Sequence, residues 1–215
     1  AAPGSSIDDL ISFVDFPPSL LSLLGLEIPS YMQGKPFLGQ FKSSQPRELI
    51  YGARDRVDEV FDFSRSVRTK EFLYIRNHMP QFGWNQRSVY SDQSEIRHEF
   101  YDKDLSAMTP AQRAYAAPTR PREELYEVRK DPYQITNLAS DPMYRITLQE
   151  MRSRQESTAL EIRDLGYLPE LDQVNLTLQR SAYEVGQDPD IVPLRKLIDS
   201  ADDNFAPEPK PEDVL

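Results

Sequence analysis

The sequence predicts an α+β protein in which a small antiparallel four-stranded sheet is packed by one long amphipathic helix and joined by irregular extended segments. Four short segments rich in β-branched and aromatic residues fall between residues 49 and 128, two of them separated only by Thr69, Lys70 and Glu71. One long segment after Asp141 repeats its apolar residues at helical spacing. The chain also carries 18 prolines against 8 glycines, so rigid connections should outnumber long regular elements.

From Ile7 to Leu24 the apolar residues recur near helical spacing, but Pro17-Pro18 should break the run and leave a short helix from Ser19 to Leu24 stopped by Gly25. Residues 27 to 45 hold Pro29, Gly34, Pro36 and Gly39 and read as an ordered connecting loop. Strands are expected at Leu49–Ala53, Phe63–Arg68, Phe72–Arg76 and Glu124–Val128, the last ending before Lys130-Asp131-Pro132. The polar stretch from Met79 to Arg122 is too long for a simple turn and is expected to be functional or partly mobile.

Asp141 should cap the long helix, with Pro142 at its first position, Tyr144, Leu148, Met151, Ala159, Ile162 and Leu165 on one face, and Gly166 closing it. Beyond Pro169 the composition turns acidic and proline-rich, leaving one helix from Pro193 to Ala201 and a solvated tail from Asn204 to Leu215. A sheet has two faces and one long helix covers only one of them. The other face is expected to dock on something else.

A formal charge of -10 argues against a nucleic-acid or anionic-membrane surface, and no apolar run approaches bilayer length. With no cysteine there is neither a disulfide nor a thiolate nucleophile. The opening Ala1-Ala2-Pro3-Gly4-Ser5-Ser6 lacks a basic-then-apolar leader and is expected to be an internal start point rather than a signal peptide.

Three ordered motifs carry a family resemblance. Ile11-Ser12-Phe13-Val14-Asp15-Phe16-Pro17-Pro18-Ser19-Leu20-Leu21 followed by Leu24-Gly25-Leu26-Glu27-Ile28-Pro29 is one. Arg65-Ser66-Val67-Arg68 leading into Phe72-Leu73-Tyr74-Ile75-Arg76-Asn77 is the second, and Glu124-Leu125-Tyr126-Glu127 leading to Asn137-Leu138-Ala139 is the third. Together they resemble the region that follows the catalytic core in type I sulfatases, over roughly Ile7 to Leu168. Tyr51-Gly52-Ala53-Arg54-Asp55-Arg56 and Asn77-His78-Met79-Pro80 look most like the heparan N-sulfatase (N-sulfoglucosamine sulfohydrolase) branch.

The resemblance implies an alkaline phosphatase-like sulfatase whose smaller carboxy-terminal subdomain is the sheet described above. It implies that residues 1–45 end the catalytic domain and connect it, that 46–168 form the subdomain, and that 169–215 are an acidic, proline-rich extension. In that family the nucleophile is a formylglycine made from Cys or Ser in a Cys/Ser-x-Pro-x-Arg motif, assisted by calcium. The chain contains no such motif, since Ser44-Gln45-Pro46-Arg47 has the wrong spacing. No catalytic residue, cofactor or metal ligand is therefore expected in this segment. Calcium and formylglycine would belong to a separate catalytic domain, the implied partner, with a sulfated carbohydrate as substrate. The parent protein would be periplasmic or secreted.

From the residues themselves, guanidinium groups bind sulfate or carboxylate in bidentate fashion, so Arg54, Arg56, Arg65 and Arg68 could contact an acidic sugar, with Glu59 in the same charge run. A solvated salt-bridge cluster is the competing explanation. His78 follows the hairpin and is a candidate substrate contact, while His98 reads as a surface or packing residue. Trp84 could stack on a sugar ring; Phe72 and Tyr74 read as sheet packing. Asp199, Asp202, Asp203 and Asn204 lack the glycine and closing glutamate of a calcium loop, and Asn175-Leu176-Thr177 is a chance-level sequon. A non-catalytic binding module derived from a sulfatase tail, or a phosphatase or phosphodiesterase on the same scaffold, are the alternatives.

Overall fold

A computed structural model describes residues 4, 6–188 and 193–203. The first helix, α1 (Phe16–Leu23), begins one turn earlier than the proline pair suggests, because prolines at the opening positions need no hydrogen-bonded N–H. Gly25 ends it with a φ of 69°, a left-handed conformation that suits glycine. The face that α1 buries is polar: Asp15, Ser19 and Ser22 are nearly inaccessible, whereas Phe13, Phe16, Leu20, Leu23 and Leu24 are 51 to 86% exposed. The inversion arises because residues 35–41 wrap the serine side. Ser19 Oγ accepts Phe37 N–H at 2.9 Å, Ser22 Oγ accepts Phe41 N–H at 2.8 Å, and Asp15 receives Lys35 N–H and pairs with Arg47.

Strands β1 (Ile50–Arg54), β2 (Ser64–Arg68), β3 (Phe72–Asn77) and β4 (Glu123–Glu127) form one antiparallel sheet in sequence order. The expected hairpin is the β2–β3 turn, closed where Thr69 N–H donates to Phe72 O at 2.8 Å. Register places Tyr51, Val67, Tyr74 and Leu125 in one row, which packs with Leu148 and Met151 as the first core cluster. The outer edge of β4 is covered: Asn137 accepts Leu125 N–H and donates to Glu123 O, so this edge does not present a free ladder.

Asp141 caps a single 3-10 turn at Pro142–Tyr144, and α4 (Arg145–Glu161) follows. The helix stops before Ile162 and Leu165, so the expectation that Gly166 closes it is corrected; Arg163 turns the chain with a φ of 58°. Leu148, Met151, Gln155 and Ala159 are its buried residues.

The Met79–Arg122 stretch folds back with two short helices, α2 (Glu95–Asp102) and α3 (Pro110–Ala116), the second capped by Thr109. After residue 168 come α5 (Glu170–Thr177), α6 (Ala182–Gly186) and α7 (Leu194–Asp203), where sequence led one to expect a single helix. Val185, Leu194 and Ile198 join Ala159 and Tyr167 in a second core cluster, flanked by Tyr51 and Phe63 of the sheet. The acidic extension is thus anchored to the domain through Val185, Leu194 and Ile198, while Leu171, Val174 and Leu178 stay exposed. The tail expected from Asn204 to Leu215 lies outside the described residues.

Candidate functional site

The alternation of a strand separates the candidate arginines. In β2 Arg65 shares a face with Val67 and points toward α4, while Ser64, Ser66 and Arg68 occupy the opposite face. Arg54 pairs with Ser64 and Ile50 with Arg68, so Arg54 and Arg68 stand at opposite ends of that second face. Four residues of strand, about 13 Å, separate them. They do not form one guanidinium clamp.

Arg65 is fully buried and holds the site together from behind. Its Nε donates to Asp164 at 2.5 Å and its Nη1 to Asp55 at 2.8 Å, while its guanidinium lies 4.8 Å from the Phe63 ring centroid and 5.3 Å from that of Tyr167. Tyr51 adds its hydroxyl to Asp164 at 2.7 Å. Burial alone would lower the Arg65 pKa, but the two carboxylates outweigh it and hold the cation charged. Arg65 has no surface to offer a ligand, so its expected direct contact with substrate is corrected to a supporting one.

His78 is likewise 1% exposed, stacked on Phe63 at 4.3 Å between ring centroids and edge-on to Tyr167. Burial first, then the nearby Arg76 and Arg65 charges, depress its pKa to about 3. It is a neutral packing residue, and its expected substrate contact is corrected on that ground.

Arg54, at the end of β1, stays close to Arg56 and Glu59 on the loop to β2, which is tightened by the Val57–Val60 bridge and by Asp58 at a φ of 50°. Arg54 Nε lies 3.0 Å from the buried Asp62, which also takes both terminal nitrogens of the buried Arg120. Burial raises the Asp62 pKa, yet Arg120 and Arg54 prevail and keep it below the ordinary aspartate value. Arg56 grips Glu170 of α5, and Glu59 accepts Val89 N–H at 2.6 Å, which ties the loop to the 79–122 excursion. Arg120 in turn stacks on Trp84 at 4.5 Å, so Trp84 supports a buried cation.

A polar chain crosses the second sheet face beside this loop. Ser64 Oγ donates to Asn77 Oδ1, Asn77 Nδ2 to Glu124 Oε1 at 2.6 Å, and Tyr126 hydroxyl to Glu124 Oε2 at 2.5 Å. Burial raises the Glu124 pKa despite those donors. Asp62, Arg120, Asp164 and Glu170 had no motif to mark them; only the sequence-distant pairings reveal them. Among the described residues no group of three His, Cys, Asp or Glu side chains is placed to hold a metal ion, and no helix is long and apolar enough to cross a membrane.

No protein-family model matches the chain. It is 37% identical over 172 residues to an ulvan-active sulfatase of Formosa agariphila, covering 80% of this chain and 29% of that protein. A second ulvan-active sulfatase of the same organism is 31% identical over 149 residues, 66% of this chain and 27% of that protein. Among solved structures, a 2-O GAG sulfatase is 20% identical with a TM-score of 0.49, matching 74% of this chain and 27% of that one. The chain thus spans less than a third of the curated relatives it matches.

Proposed function

On the premise that this chain is related to the sulfatase family in its carboxy-terminal region, we propose that it is the part of a sulfuric ester hydrolase that docks on the catalytic domain and borders a sulfated-carbohydrate cleft. The observation that carries the docking is the inverted helix α1, which hides serines and presents Phe13, Phe16, Leu20, Leu23 and Leu24 to its surroundings. An exposed apolar face of that kind marks a surface for another to cover. The β1–β2 loop, with Arg54 and Arg56 half exposed and Glu59 beside them, is the edge that borders the substrate. The exposed Arg68, at the far end of the second sheet face, serves the docking surface instead.

In this reading the nucleophile, a formylglycine, and the assisting calcium reside on the catalytic domain. Residues here orient the sugar. Two substrate classes are in play. The Tyr51–Arg56 and Asn77–Pro80 motifs favour an N-sulfated glucosamine, and the 37% identical relative favours an ulvan-type polysaccharide. Assaying the complete polypeptide that carries this chain on N-sulfoglucosamine and on ulvan oligosaccharides tests both. Turnover of neither, by a protein shown to be folded, would leave the non-catalytic binding module as the answer.

A further inference from the structure

A cavity of about 480 Å³ opens between the β1–β2 loop and the start of α5, within the roughly 300–1,000 Å³ of small-molecule sites. Its walls include Asp55, Arg56, Phe61, Tyr167, Glu170 and Gln173. Phe61 is 57% exposed, an aromatic side chain left open at a cavity wall. Such a ring offers its face to aliphatic C–H groups, and planar carboxylate and amide groups beside it can exchange hydrogen bonds with hydroxyls.

The charges around the cavity are already matched. Arg56 is committed to Glu170, and Asp55 is held by the buried Arg65, which reaches no ligand. A sulfate entering here would face the Asp55 and Glu170 carboxylates without an uncommitted guanidinium on the wall, and would have to break the Arg56 pair. Neutral hydroxyls meet no such obstacle. They can donate to the carboxylates while those remain paired, and Asp55 is preorganised for this because its two oxygens are fixed from behind by Arg65. The Asp55 side chain is 50% exposed, leaving lone pairs for a ligand.

We propose that this cavity is a subsite for an uncharged pyranose unit, a sugar neighbouring the sulfated one, with Phe61 as stacking platform and Asp55, Glu170 and Gln173 as hydroxyl partners. The proposal rests on the reading that the chain serves a sulfated carbohydrate. It assigns α5, outside the sheet, a part in selecting which polysaccharide is accepted.

Ligand-observed saturation-transfer NMR on the complete polypeptide, with a panel of methyl pyranosides (gluco, galacto, manno, xylo and rhamno), tests it directly. At least one neutral pyranoside should receive saturation, excess sodium sulfate should leave that signal in place, and Phe61→Ala should weaken binding roughly tenfold. Gln173→Ala provides a second reading should Phe61→Ala unfold. No transfer to any pyranoside, undiminished transfer in both folded variants, or displacement by sulfate would each overturn the subsite. Sulfate-ester turnover measured separately keeps the two ideas apart: turnover without pyranoside binding sinks only the subsite, and pyranoside binding without turnover sinks only the hydrolase reading.

Discussion

Arg65 and Asp164, 99 residues apart in sequence, meet at 2.5 Å inside the protein and join the second strand to the turn that follows α4. Removing one member of a buried ion pair strands the other. Asp164→Ala should therefore cost about 3 kcal/mol of unfolding free energy, because the half-exposed Asp55 is then the one carboxylate still paired with Arg65. Urea unfolding measures this. Arg65→Met strands Asp164 in turn, but that carboxyl keeps the Tyr51 hydroxyl and Gly166 N–H and can take up a proton, which a guanidinium cannot lose, so it should cost less; an equal or larger loss would show that the stranded guanidinium is not what makes Asp164→Ala costly.

Gly166 lies against the same guanidinium. A Cβ there would sit 1.9 Å from Arg65 Nη2 and 3.0 Å from oxygens of both Asp55 and Asp164. Gly166→Ala should destabilise by roughly 1–3 kcal/mol, the range of an overpacked interior site. The combination Arg65→Met with Gly166→Ala should be less damaging than the sum, and additive losses would refute the clash.

The His78 ring titrates far below its ordinary value of 6.5, to about 3, because burial and two arginines oppose the charge. The unfolded chain binds this proton first as pH falls, so the contribution to stability is whole above pH 6.5 and declines as pH drops toward 3. Unfolding measured from pH 7 to pH 4 should show that decline, and His78→Phe should flatten it. An NMR titration finding His78 protonated near pH 6 would contradict the burial argument.

Glu124 has the opposite sign. Burial lifts its pKa above the ordinary 4.5, so its contribution is greatest at pH values below the unfolded one and is lost as pH rises through the folded one. Glu124→Gln cannot titrate and retains partners for Asn77 and Tyr126. Its stability relative to the parent should improve between pH 4 and pH 8. A constant difference across that range would rule out a buried, titrating Glu124.

The exposed side of α1 predicts behaviour in solution. The chain by itself should bind a hydrophobic dye, and Leu20→Ser with Leu23→Ser should reduce that binding without lowering its own unfolding midpoint, since these side chains are 59 and 58% exposed. In the complete polypeptide the same pair should destabilise.

Much of the sheet was legible because period-two alternation and a three-residue turn are local signals; the four expected strands differ from β1–β4 by one residue at most ends. The α4 boundary was not, because Ile162 and Leu165 continue the helical spacing while Arg163 breaks the backbone at a positive φ that spacing cannot reveal. The acidic, proline-rich composition beyond Pro169 left room for one helix but did not reveal its packing: Val185, Leu194 and Ile198 find burial against Tyr51 and Phe63, residues remote in sequence. The charge run at Arg54–Glu59 stays together in the fold, its charges paired with Asp62 and Glu170. Which arginine would be buried depended on strand register, and which carboxylate would face each one depended on tertiary contacts, so Arg65 and Arg68 could not be told apart from Arg54.

The sheet has a sequential strand order, but the chain leaves it between β3 and β4 for the whole stretch from 78 to 122. The first three strands can zip as a local meander, whereas the fourth must await closure of that long excursion, whose entropic cost grows with the logarithm of its length. Arg120 on Asp62 and Glu59 on Val89 shorten the wait by pinning the excursion back onto the β1–β2 loop. These contacts, placed beside the β1–β2 loop, should thereby also influence the order of assembly, and weakening them should slow the arrival of β4 before it loosens the finished protein.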